Sequence, residues 1–97
     1  MNAIDKVLKW AQFLQTSCFG TPIGITIEAS RGVGSEKMIF ITIATTEESK
    51  SYIISSDMPS EQLYQKWGEV KNDASILLDK YVGRFVNKHG KVKQTNE

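Results

Sequence analysis

Residues able to do covalent or acid–base chemistry are few in this chain. It holds one cysteine, Cys18, one histidine, His89, and eleven Asp and Glu. Covalent catalysis needs a nucleophile held by a base, and His89 falls in the last turn of an expected helix, just before an expected tail. No hydrolytic triad is expected from that placement. Cys18 lies among Ser17, Phe19 and Gly20 with no cation beside it to lower its pKa, so it reads as a small buried hydrophobe at a helix end. A single cysteine forms no internal disulfide, and one Cys with one His does not make a structural zinc site. Arg31-Gly-Val-Gly-Ser offers backbone N–H groups that a phosphate could use, but no helix follows to add its dipole, and the glycine pair reads as a hairpin. No enzymatic activity, cofactor or metal is expected.

The chemistry that remains is recognition. Twelve Lys and Arg against eleven acids give a net charge of +1, which carries no general mandate for nucleic acid or membrane surfaces. The distribution is uneven, however. Residues 28–73 hold eight acids against five bases, whereas residues 74–97 hold two against five. Glu28, Glu36, Glu47, Glu48, Asp57, Glu69 and Asp73 are the candidate partner-binding residues, drawn from strands, hairpin turns and one end of a helix, so that an acidic edge is geometrically feasible. The plainer alternative is a solvated rim, with Glu69 and Asp73 paired to Lys66 and Lys80 on one helix surface. Phe13 and Phe40 fall away from the expected core faces and are candidate interface anchors, while Trp10 and Trp67 are assigned to the core.

The elements that must position these groups follow from periodicity. Ile4, Val7, Leu8, Ala11 and Leu14 recur at helical spacing, with Asn2 as N-cap and Asp5 in the first turn. After the break at Gly20-Thr21-Pro22, Ile23, Ile25, Ile27 and Ala29 alternate with smaller or polar residues, as in a half-buried strand. Residues 31–36 then supply a glycine-bearing hairpin, and residues 38–45 put Ile39, Ile41 and Ile43 on one face and Met38, Phe40 and Thr42 on the other. A polar turn at 46–49 leads to a third strand over 51–55. Pro59 and Glu61 open a second helix whose stripe runs Leu63, Trp67, Val70, Ala74, Leu77, Tyr81 and Phe85, ending near Lys88 with Gly90 as its cap. The expected fold is a two-layer α+β domain, α-β-β-β-α, spanning 1–90, with a three-stranded antiparallel meander under two helices and a solvated tail at 91–97. A lone cysteine, no apolar run approaching about 18 residues, and an N-terminus mixing Asp5, Lys6 and Lys9 into its apolar pattern give the expectation of a soluble cytoplasmic protein.

The α-β-β-β-α order resembles the double-stranded RNA-binding domain, which implies RNA phosphates at the start of the second helix and on the hairpin loop. That helix opens here with Pro59-Ser60-Glu61-Gln62 and has no lysine until Lys66. A nucleic-acid-binding module would instead rely on Arg84, Lys88, Lys91, Lys93 and the hairpin. The whole chain, a single small α+β domain opening Met-Asn-Ala-Ile-Asp-Lys-Val-Leu-Lys-Trp and lacking a catalytic or cofactor motif, resembles the phage-encoded anti-CRISPR proteins that inhibit type I Cascade-like surveillance complexes. That resemblance implies a non-enzymatic inhibitor whose partner is a CRISPR protein complex. It also implies, for some members, carboxylates presented where DNA phosphates would lie, although a net charge of +1 differs from the strongly acidic members.

Overall fold

Alternating isoleucines build the sheet. In a computed structural model that describes residues 2–82, β1 (Gly24–Arg31), β2 (Lys37–Ala44) and β3 (Ser49–Ser55) form a three-stranded antiparallel sheet in the order β1-β2-β3. Side chains along a strand point alternately to the two faces, so Ile39, Ile41 and Ile43 share one side of the central strand, and all three are at most 2% exposed. Their cross-strand partners on that side are Ala29, Ile27 and Ile25 from β1 and Ile54, Tyr52 and Lys50 from β3.

Two helices cover this face. α1 (Ala3–Ser17) starts at Asn2, whose Oδ1 accepts from the Asp5 amide at 3.0 Å, and it buries Ile4, Val7 and Ala11. α2 (Ser60–Leu77) follows Pro59, which supplies no side-chain cap, and buries Leu63, Trp67, Val70, Ala74 and Leu77. Both helices run in the same direction. Asp5 near the start of α1 meets Lys37 at the start of β2, and Gln15 near its end donates to the carbonyl of Ile25 at 2.7 Å. α2 likewise starts where β3 ends beside Lys37 and reaches back to Lys50 through Asp73. The result is the expected two-layer α+β architecture, with the core between sheet and helices.

Local departures from the sequence pattern have physical causes. Trp10 is 41% exposed, because it lies on the flank of α1 and stacks on Trp67, with ring centroids 6.3 Å apart, instead of pointing into the sheet. Ile27 is only half-buried and Ala29 is exposed, since β1 is an edge strand whose far end runs past the helix cover. A cleft of about 310 Å³ between Leu8 of α1 and Ala29 marks that gap. In the first hairpin Ser35, and neither glycine, takes the left-handed conformation, at φ 68°. The Glu36 carboxylate folds back over Gly32, into the space that a Cβ there would take. α2 does not keep α-helical geometry throughout. It widens into a π-helical turn, α3 (Leu78–Val82), that carries the buried Tyr81. The expected continuation to Lys88, the Gly90 cap and the tail at 91–97 lie outside the described residues.

The opposite sheet face is open, with no described element packed on it. Glu28, Phe40 and Ile53 form one row across the three strands, and Ile53 is 47% exposed. Among the described residues, no helix is long and apolar enough to cross a membrane.

Candidate functional site

The antiparallel meander puts its two hairpins at opposite ends of β2, about 25 Å apart for eight residues of strand. The seven acids predicted for partner binding therefore do not form one edge. Glu36, in the first hairpin, and Asp57, which accepts from the Ser55 hydroxyl at 2.6 Å, lie at the end where both helices begin. Glu28 projects from the open sheet face. Glu47, Glu48 and Asp73 come together at the other end, with Glu69 one helical turn before Asp73.

This second end is built by period-two and period-3.6 placement acting together. Lys50 and Tyr52 are two residues apart on β3 and so share the helix-facing side, where Asp73 of α2 receives both: Lys50 Nζ at 2.9 Å and the Tyr52 hydroxyl at 2.6 Å. The expected pairing of Asp73 with Lys80 along the helix is thus replaced by a bond to the sheet. Lys80 instead donates to Glu48 Oε2 at 3.0 Å, and only Lys66 and Glu69 pair along α2, at 3.7 Å. The Tyr81 hydroxyl lies 2.6 Å from Glu48 Oε2 and 3.1 Å from Glu47 Oε1, so the single proton of one buried phenol is shared between the two hairpin carboxylates, chiefly with Glu48. The π-helical turn brings Tyr81 to this position. Thr45 Oγ1 accepts from the Glu47 and Glu48 amides, which fixes the turn itself. Between Glu48 and Asp73 is a shallow cleft of about 170 Å³, floored by Tyr52 and Leu77 and bordered by Ile76, which is 55% exposed.

Electrostatics follow this geometry. The hydrogen bond from Tyr52, and then that from Lys50, hold the Asp73 carboxyl below its ordinary range. Burial, with the adjoining Asp73 charge, pushes the Tyr52 phenol well above its ordinary value. Glu48 raises the Lys80 ammonium in the same manner. A carboxyl depressed on folding stabilises the protein above the ordinary carboxylate range near pH 4, and that contribution is lost as the pH falls through the folded value. A phenol raised on folding stabilises below about pH 10 and loses its contribution as the pH rises further. Tyr52→Phe should therefore cost about 1 kcal/mol near neutrality and flatten both the acid and the alkaline limbs of stability. Urea midpoints measured from pH 2 to 11 test this, and identical profiles for the two proteins would exclude the Tyr52–Asp73 bond.

Sequence reasoning missed Tyr52, Tyr81 and Ile76. Ile76 had a usable signal, being an apolar residue off the stripe of its helix. The two tyrosines fall within apolar patterns, so their role as carboxylate donors emerges only from packing. Elsewhere, Arg31-Gly-Val-Gly-Ser is the expected hairpin connection, closed on itself: the Gly32 and Ser35 amides bond the carbonyls of Glu36 and Gly32, and Arg31 donates to the carbonyl of Ser35. Cys18, 2% exposed at the end of α1, has its thiol raised by burial. It should resist iodoacetamide in the native protein at pH 8 and react fully in denaturant; stoichiometric native alkylation, read by mass spectrometry, would contradict this placement. Among the described residues, no group of three His, Cys, Asp or Glu side chains is placed to hold a metal ion.

No protein-family model, curated protein or solved structure matches this chain.

Proposed function

We propose that the protein is a non-enzymatic inhibitor that binds a basic, DNA-reading surface of a CRISPR effector complex and competes with target DNA. The observation that carries this reading is the convergence of Glu47, Glu48 and Asp73 at one end of the fold, where the hydroxyls of Tyr52 and Tyr81 orient them. Carboxylates fixed by phenols lose little side-chain freedom on binding, and they present acceptors where a basic groove otherwise holds phosphates. Ile76 and the cleft beside it supply an apolar anchor next to the charges, the pairing of anchor and charged rim on which protein interfaces depend. Lys50 and Lys80 temper the local charge. This reading therefore makes the end a partial DNA mimic, with affinity drawn from the anchor and steering drawn from the acids. The target class, a type I surveillance complex in the host cytoplasm, comes from the sequence resemblance.

The competing nucleic-acid-binding reading draws less support from the described residues. The hairpin and the start of α2 do lie at one end, as in the double-stranded RNA-binding domain, but Asp5, Glu36, Asp57 and Glu61 gather there against Arg31 and Lys37. Arg84, Lys88, Lys91 and Lys93 lie outside the described residues. The test is size-exclusion chromatography of the purified protein with a purified type I surveillance complex and, separately, with labelled duplex DNA and RNA. Co-elution with the complex is expected. Binding to duplex alone, with a steep negative salt slope, would replace this reading with the nucleic-acid one.

A further inference from the structure

The solvent side of the helix layer holds a feature that the acidic end does not use. Trp10, Phe13, Leu14 and Ser17 of α1 face Trp67 and Lys71 of α2 across a groove of about 370 Å³. Phe13 is 75% exposed, and Tyr64 extends the apolar surface by packing on Trp10 at 5.9 Å between ring centroids. Trp10, Phe13 and Tyr64 expose apolar surface outside the core, beside Trp67, which belongs to it, and Leu14, which packs against it.

Two further observations define the occupant. Gly68 lies between Tyr64 and Lys71 on one face of α2, at i+4 and i−3, and nothing lies within 4 Å of where its Cβ would be. A mid-helix glycine costs about 1 kcal/mol relative to alanine, and no contact among the described residues requires it. Its open surface leaves room for the backbone of a third element to approach closely. The charge at the groove is mainly positive: Lys71 lines it, and Lys6 lies four residues before Trp10 on the same stripe of α1. Neither lysine has an ion pair among the described residues. Glu61, in the opening turn of α2, is at the Lys6 end of this face and almost three turns before Lys71, which leaves two lysines to one carboxylate.

We propose that this groove docks an acidic amphipathic helix of a partner protein, with apolar residues at i, i+3, i+4 and i+7 over Trp10, Phe13 and Trp67 and carboxylates meeting Lys6 and Lys71. A second copy of this chain is a poorer occupant, because a two-fold contact across the groove would set Lys6 of each copy beside Lys71 of the other, two cations at each end against the one carboxylate of Glu61. Residues 83–97 are also a poorer occupant, since they carry Arg84, Lys88, Lys91 and Lys93 against the single acid Glu97. The surface is separate from the acidic end, so this inference stands whether or not that end binds a CRISPR complex.

The test is selection of a displayed library of helical peptides, with randomised polar and apolar positions, on the full-length protein. Binders are then measured by fluorescence anisotropy against wild type, Phe13→Ala and Lys71→Glu. Both substitutions are at exposed positions, and melting curves confirm that the variants fold. Enriched peptides should be amphipathic and rich in Asp and Glu, bind with micromolar affinity, and lose at least tenfold with either substitution. No enrichment, enrichment without acidic residues, or affinities unchanged in both variants would overturn the proposal. Two controls can also overturn it. Dimerisation in sedimentation that Phe13→Ala abolishes would assign the groove to a second copy, and binding of oligo(dT) that Phe13→Ala abolishes would assign it to single-stranded nucleic acid.

Discussion

Trp67→Ala should lower the melting temperature by more than about 15 °C, the largest effect of any single substitution considered. Trp67 is 5% exposed, sits centrally in the buried stripe of α2 and stacks on Trp10. Truncating a large aromatic in a core costs roughly 3 to 5 kcal/mol, and a domain of this size has only about 5 to 15 kcal/mol in total. At about 4 to 8 °C per kcal/mol for so short a chain, the loss should be visible in a simple thermal melt. Trp10→Ala should cost clearly less, because Trp10 is already 41% exposed. A Trp67→Ala protein that melts within a degree or two of wild type would mean that α2 does not press this face on the sheet.

The second large effect is functional. Reversing Glu47 and Glu48 together, Glu47→Lys and Glu48→Lys, removes the two carboxylates that Tyr81 holds and puts two cations in the second hairpin. Both side chains are exposed, although Glu48 also bonds Lys80, so the fold should persist with a stability change of about 1 kcal/mol. If the hairpin faces a basic DNA-reading groove, attraction becomes repulsion, and association with the effector should slow by about tenfold or more at low ionic strength. The difference should shrink as salt screens the charges. A nucleic-acid-binding module would respond in the opposite direction, since added lysines strengthen contact with phosphate. Unchanged inhibition at low salt would remove this hairpin from the interface and make the row of Glu28, Phe40 and Ile53 on the open sheet face the next surface to test.

Much of the fold was legible because its elements obey simple periods. The isoleucines of β2 alternate cleanly, the stripe from Leu63 to Tyr81 repeats at helical spacing, and Asn2 caps α1 as its position predicts. What remained hidden depends on relations between elements. Trp10 sits at the edge of an apolar stripe, and only the direction of α2 decides that it stacks on Trp67 and stays half in solvent. Ala29 continues the alternation of β1, yet the strand outruns its helix cover.

The candidate site shows the same division. Its acids could be named from the sequence, but their grouping could not, because hairpins at the two ends of β2 separate Glu36 and Asp57 from Glu47, Glu48 and Asp73. Asp73 illustrates the difficulty most clearly. The helix surface offers Lys80 only two turns on, whereas the sheet supplies Lys50 and Tyr52 from 23 and 21 residues away. A tyrosine in an apolar pattern carries no sequence mark of the carboxylate that its hydroxyl will meet.

The central claim is that the carboxylate end and target DNA compete for one surface, and a mobility-shift competition measures this directly. Labelled target duplex is bound to a purified type I surveillance complex at low salt and titrated with wild-type protein and with the Glu47→Lys/Glu48→Lys variant. Wild type should displace the duplex at stoichiometric concentration, with the variant needing at least tenfold more. Duplex retained at a large excess of wild-type protein would contradict the account.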